Sequence, residues 1–453
     1  MQSPRPIIPL LLCLVLLGGW ATSAFAQQKE RDAKKVPAVQ EPAATTPYSD
    51  VRRDSLLNGL QLITLERASE PRVICDLVIR SGAMFDLVSK AGLAALTQEA
   101  LLIVNPQLND ELASLQAKMG WGVTPDTTWF HIEAPPSNFD TVMQIIGRLL
   151  VIEAVRPESF KLAQQARLER VKGRGRQLSP AERADEAFFA ALYGDHPYGH
   201  NTEGNEKTIA AIVYGDVYDF YKRFYLANNS FALVVSNLKQ ERVLRTFKTF
   251  LGGWMKGNVV PTSFRQMQRT AAGQPLKVEA PEASAVELRG GVIGVKHTDP
   301  DFLVTEVLAR VLEARLKRNA AGQAGETLIV TAPPRMLPGP LFISASLGAE
   351  QAAEFSRRAT EAFTALANAP VTAEELAAAK ASLSAEDAAR TIPDHLREVE
   401  IYGLPRNYPL TFATRVNAVS AADVQRVAKR LLEGNALTIV MLGRVGEHFK
   451  SQI

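Results

Sequence analysis

The chain is expected to be α+β, built as two similar domains, each a sheet with helices largely on one side, which together make half of a clam shell. Three observations point there. Strand-like runs alternate with helix pairs rather than with single crossover helices. FALVVSN, from Phe231, has a counterpart roughly 200 residues later in ALTIVMLG, from Ala436, and each follows a helix with Lys and Arg near its end. Between the halves, Lys256 to Gln274 (KGNVVPTSFRQMQRTAAGQ) has the mixed polarity, Gly and Pro of a linker. The domains are therefore expected at 49–255 and 275–453, joined by 256–274.

In the first half, Asn58-Gly59 marks a tight turn, and Leu60–Leu65 and Val73–Arg80 read as paired strands. Lys90–Val104 (KAGLAALTQEALLIV) carries Leu93, Leu96, Ala100, Leu101 and Val104 at the spacing of a helix packed on a core. A helix at Asn109–Lys118, a strand at Thr127–Ala134 and a helix at Phe139–Val151 follow. Helices at Glu158–Lys172 and Pro180–Leu192 lead into the turn GDHPYG, residues 194–199. A helix at Asp216–Tyr225, the strand Phe231–Ser236 and a helix at Glu241–Leu251 complete this half. The second half is expected to hold strands within Leu276–Lys296 and a helix at Phe302–Arg318. A strand at Leu341–Leu347 and helices at Glu350–Leu366, Ala373–Arg390 and Ala421–Leu432 precede a closing strand at Ala436–Leu442.

The first segment concerns address. The apolar run Ile7–Trp20 and the small-x-small sequence Ser23-Ala24-Phe25-Ala26 predict a secretory signal cleaved after Ala26, hence a periplasmic or secreted protein. The run is shorter than a bilayer-spanning helix needs, so no transmembrane anchor is expected after cleavage. Residues 27–48 read as a flexible polar linker. Cys13 leaves with the signal, and Cys75, in VICDLVIR, reads as a small buried strand residue.

Composition narrows the chemistry. A net charge of +3 gives no electrostatic reason to expect nucleic acid, and two cysteines among 453 residues exclude a disulfide scaffold. The chain has six histidines, His131, His196, His200, His297, His395 and His448. His196 and His200 are four apart, but Pro197 and Gly199 between them favour a turn over a helical ligand pair. The basic run RVKGRGR, 170–176, reads as a solvated helix end.

Five segments, NGLQLI, IRSGAMFDLVSKAGLAALTQEAL, LQAKMGWGVTPDTTWFHIEAP, FFAALYGDHPYGHNTEG and DFYKRFYLANNSFALVV, occur in an order that resembles the insulinase or pitrilysin-type zinc metallopeptidases. The likeness is to the half-length kind that includes the mitochondrial processing peptidase subunits. The resemblance implies an inverted H-x-x-E-H motif on the helix after Gly-Leu-Ala, where two imidazoles on one helical face bind zinc and the glutamate activates water. Here those positions are Ala95-Leu96-Thr97-Gln98-Glu99: both histidines are gone, and an amide that cannot take up a proton near neutral pH replaces the base. Counting back from Pro197, the resemblance places the third ligand at Lys172, with Glu169 one helical turn away.

Ala95, Gln98, Glu99 and Lys172 are thus expected to form a degenerate pocket with no catalytic residue, no zinc and no other cofactor. A Glu99 to Lys172 ion pair, with Gln98 hydrogen-bonding nearby, is expected to neutralise it. A substrate-contacting Arg and Tyr in the family's non-zinc partners map onto Arg318 and Gly325, so half of that signature is missing. The resemblance implies a pseudopeptidase subunit that pairs with a zinc-bearing homologue around a peptide-processing chamber. The alternatives are a stand-alone or homodimeric peptide-binding or scaffold protein of the cell envelope, and an active zinc metalloendopeptidase with an atypical site.

Overall fold

A computed structural model of the chain describes residues 48–152, 155–173, 178–261, 274–318, 327–433 and 435–444. The expected signal sequence, residues 27–47 of the expected 27–48 linker, His448 and Gly325 lie outside these residues. Among the described residues, no helix is long and apolar enough to cross a membrane.

The first half forms a six-stranded sheet in the order β1-β2-β6-β3-β5-β4. Its strands are β1 (Val51–Ser55), β2 (Gln61–Glu66), β3 (Val73–Ile79), β4 (Lys118–Val123), β5 (Thr128–Ala134) and β6 (Ser230–Ser236). The second half forms a five-stranded sheet in the order β7-β11-β8-β10-β9. It consists of β7 (Leu276–Glu279), β8 (Val286–Ile293), β9 (Ile329–Thr331), β10 (Pro340–Leu347) and β11 (Thr438–Gly443).

The two sheets share one pairing logic. β6 is parallel to β2 and antiparallel to β3; β11 is parallel to β7 and antiparallel to β8. Removing β1 from the first sheet leaves the second sheet's order, and FALVVSN and ALTIVMLG stand at equivalent places, as β6 and β11. Both are buried along their whole length, which is why they read as continuous apolar runs rather than alternating ones.

Most of the helices fall near their expected positions. They are α1 (Leu93–Leu102), α2 (Leu108–Ser114), α3 (Phe139–Gly147), α4 (Pro157–Val171), α5 (Pro180–Tyr193), α6 (Glu206–Ala211), α7 (Tyr214–Phe224) and α8 (Gln240–Leu251) in the first half. The second half has α9 (Phe302–Arg318), α10 (Ala349–Asn368), α11 (Ala373–Ala389), α12 (Ile392–Tyr402), α13 (Tyr408–Ala418) and α14 (Ala421–Leu432). Most pack on one face of their own sheet, around Leu62, Leu77, Phe130 and Phe247 in one half and Leu288, Ile343, Leu312 and Phe363 in the other.

The opposite faces are covered by an exchange. α5 belongs to the first half in sequence, yet its Phe188 and Leu192 pack with Val440 of β11, and its Ala184 with Leu442. In return, Leu396 of α12 packs on Ile63, Val78, Phe231 and Leu233 of the first sheet. Buried Arg289 of β8 donates to the Ala181 carbonyl at 3.2 Å and pairs with Asp185, both on α5. Both halves accordingly belong to one compact unit.

Six elements differ from the sequence reading, two of them being β1 and β9, each an outermost strand of its sheet, which were not expected. Lys118 opens β4 rather than closing a helix, because Gly120 and Gly122 let this edge strand lie against the Trp129 ring, where a Cβ at Gly122 would come within 2.8 Å of it. α12 and α13 were not expected, although α12 starts with a Thr391 and Asp394 capping box. α6 is a short helix, also capped by a box, of Asn205 and Thr208.

The second half buries a charged cluster. Glu398 of α12 approaches His297 at 2.7 Å and pairs with Arg390, and Glu306 of α9 faces the same group. Burial first, and the charge of Glu398 second, push the Glu306 carboxyl up to about 8. The native state therefore binds a proton that the unfolded chain releases near 4.5, so this residue costs stability as pH rises from 4.5 and the cost levels off above 8. Glu306→Gln is expected to stabilise the fold by about 2 kcal/mol at pH 8 and to have almost no effect at pH 4.5. Denaturant titrations at the two pH values measure it, and an equal effect at both would contradict the assignment.

Candidate functional site

α1 is held by its N-terminus. Gly92 has φ +92°, and its N–H and that of Ala94 donate to the Asp86 carboxylate at 2.7 and 2.8 Å. Asp86 caps the helix from six residues upstream, satisfying donors that have no partner within it. Burial raises this carboxyl to about 7, against the pull of three backbone N–H groups and the charge of Arg167.

The five positions of interest lie in the middle of α1, and all five are buried. Ala95 offers a methyl group. Thr97 donates to the Leu93 carbonyl at 2.8 Å, a contact internal to the helix. Gln98 donates through Nε2 to the Trp129 carbonyl at 3.0 Å, so its amide is bound to the sheet beneath. Glu99 faces α4.

Lys172 is not the partner of Glu99. Lys172 stands exposed at the C-terminal cap of α4 and forms no ion pair among the described residues. Glu169 is exposed as well. Glu99 is instead met by two arginines of α4: Arg167 donates from Nε at 3.1 Å and from Nη2 at 2.9 Å, and Arg170 donates to Oε1. Arg167 is 2% exposed and also pairs with Glu203 at 2.9 Å. The cluster is neutral, with two guanidiniums against two carboxylates.

The physical reason is helical register. Arg167 and Arg170 are three apart and share the face of α4 turned to α1. Lys172 is two further on, which rotates it away from that face.

These residues do not fit a zinc ion. Both oxygens of Glu99 accept from guanidinium groups, which stay protonated and have no lone pair to offer. Ala95 supplies no donor. Among the described residues, no group of three or more His, Cys, Asp or Glu side chains is placed to hold a metal.

Three of the histidines are held by hydrogen bonds outside α1 and α4. His131 of β5 contacts Asp76 at 2.6 Å; His395 lies between the Tyr48 hydroxyl at 2.6 Å and Asp387 at 3.0 Å. His196 Nδ1 accepts from the Tyr198 N–H at 3.1 Å in a single 3₁₀ turn, and desolvation lowers its pKa to about 4. The Tyr198 hydroxyl of that turn donates to Asp126 and accepts from the Leu337 N–H at 3.1 Å, which ties the turn to the second half. Cys75 is fully buried, and burial pushes its thiol up. Arg318 pairs with Glu375 at the end of α9.

The chain is a two-sheet α+β protein whose α1 carries an arginine-clasped glutamate at the position that the sequence resemblance assigns to the second histidine of the motif. Residues 211–383 match the family described as the Peptidase M16 inactive domain. That match and the fold it accompanies fit a degenerate member of the insulinase-type (M16) family.

A crystal structure of a peptidase M16 inactive domain from Pseudomonas fluorescens has 19% identity and a TM-score of 0.73, over 87% of this chain and 97% of that one. A protease from Helicobacter pylori has 16% identity and a TM-score of 0.74, over 87% and 99%. The periplasmic protease PqqL from Escherichia coli has 15% identity and a TM-score of 0.71, over 89% of this chain and 48% of that one. An uncharacterized zinc protease from Rickettsia felis is 19% identical over 218 residues, 46% of this chain and 52% of that protein. The chain thus spans about half the length of the curated relative it matches.

Proposed function

We propose that this chain is a non-catalytic subunit, exported to the periplasm or cell exterior, that pairs with a zinc-bearing homologue to form a peptide-processing chamber. The observation that carries the reading is the Glu99–Arg167–Arg170 cluster, in which the one carboxylate at an expected ligand position is taken up by two guanidinium groups that cannot bind metal. The half-length match to PqqL supports pairing, since this fold corresponds to 48% of a protein described as a periplasmic protease. β4, at the end of its sheet with Trp121 partly exposed, offers an edge on which an extended peptide could add a strand.

Affinity capture of tagged chain from its native host tests this. Recovery of a homologue bearing H-x-x-E-H, with peptide cleavage only by the pair, is the expected result. Recovery of a lone homodimer without such a partner would contradict the subunit role and favour a stand-alone peptide-binding protein.

A further inference from the structure

A second cleft, distinct from the α1–α4 cluster, lies between the two halves and encloses about 590 Å³. Five cations line it: Arg53 of β1, Arg80 just after β3, Lys296 after β8, Arg335 before β10 and Arg406 between α12 and α13. A single carboxylate, Glu400, stands among them.

Glu400 is already shared. Arg53 Nε lies 3.3 Å from Oε1 and Arg80 Nη2 3.4 Å from Oε2, while Arg80 Nε donates to the Glu400 carbonyl at 2.8 Å. Arg80 is further fixed over the Phe231 ring, 5.0 Å from its centroid. Arg335 donates to the neighbouring Pro334 carbonyl and feels Asp126, which already accepts from Tyr198 and Met336. Lys296 and Arg406 are exposed and have no carboxylate partner among the described residues.

A cleft of this volume is on the order of 10 Å across, about one Debye length at physiological salt, so its cations act together on whatever enters. Guanidinium forks match a carboxylate in geometry. The apolar side chains of Val260, Pro261 and Leu404 line the same space and suit neighbouring aliphatic groups better than a bare inorganic ion.

We propose that this cleft binds a carboxylate-rich peptide segment, with Lys296 and Arg406 as its free anchors and Arg53 and Arg80 released in part from Glu400. The inference rests on the peptide-holding role only for the kind of polymer bound; the choice of anion comes from the cleft.

The test is fluorescence anisotropy on the intact chain with short labelled peptides rich in Glu and Leu, and with the matching Lys and Leu peptides. The acidic peptide should bind at least about tenfold more tightly, and added salt should weaken it. Lys296→Glu with Arg406→Glu, both at exposed positions, should cost about tenfold or more, while Glu400→Gln should tighten binding by removing the competing anion. Equal binding of both peptides, or no response to either variant set, would overturn the proposal. Equally tight competition by inorganic phosphate would overturn the peptide assignment. Retained acidic-peptide binding in a chain that captures no zinc-bearing partner would refute the subunit role alone; loss of charge preference would refute the cleft alone.

Discussion

Arg167→Met is expected to destabilise the fold by about 3–5 kcal/mol, because it leaves the Glu99 carboxylate buried without its main partner. Glu99 is 7% exposed and Arg167 2%, so water cannot replace the lost contacts without opening the α1–α4 interface. Arg170 remains, but its side chain is 53% exposed and its pairing is weakened by solvent. Glu99→Gln combined with Arg167→Met removes both charges and should recover most of the loss, since two buried partners can often be replaced together at small cost. A double-mutant cycle in denaturant measures the coupling. If the single and double variants are equally stable, Glu99 is not held as described.

Gly92→Ala is expected to cost about 2–4 kcal/mol and to shift α1 itself. The residue has φ +92°, and a Cβ there would lie 2.6 Å from Ile209 Cδ1 and 2.9 Å from the Glu203 carbonyl oxygen. Glu203 also pairs with Arg167, so the clash pushes on the cluster as well as on the helix start. Thermal melting reads the loss, and an unchanged melting temperature would contradict the close packing at this turn.

The layered fold was legible because its core strands are buried on both faces and its helices keep an apolar stripe. FALVVSN and ALTIVMLG could be recognised as equivalent from sequence since both occupy the same central position. β4 was not legible: KMGWGV alternates glycine with larger residues, and only the Trp129 ring across the sheet explains them. The exchange of α5 and α12 between sheets was equally hidden, because an amphipathic helix does not declare which sheet it covers. At the candidate site, Ala95 to Glu99 could be placed on α1 from the motif that precedes them. The partners of Glu99 could not be found by counting along the chain, although Arg167 and Arg170 at i and i+3 were a readable cue to a shared face. Asp86 and Glu203 gave no sequence signal, since their roles come from chain segments that meet only in the folded structure.

Replacement of the metal site by the arginine-clasped Glu99 is tested most directly by metal analysis of the purified chain, with peptide cleavage assayed in parallel. The chain alone should hold no more zinc than an unrelated control protein and leave unstructured peptides intact, with or without added zinc. Zinc equimolar with protein, together with cleavage abolished by a chelator and restored by zinc, would contradict it.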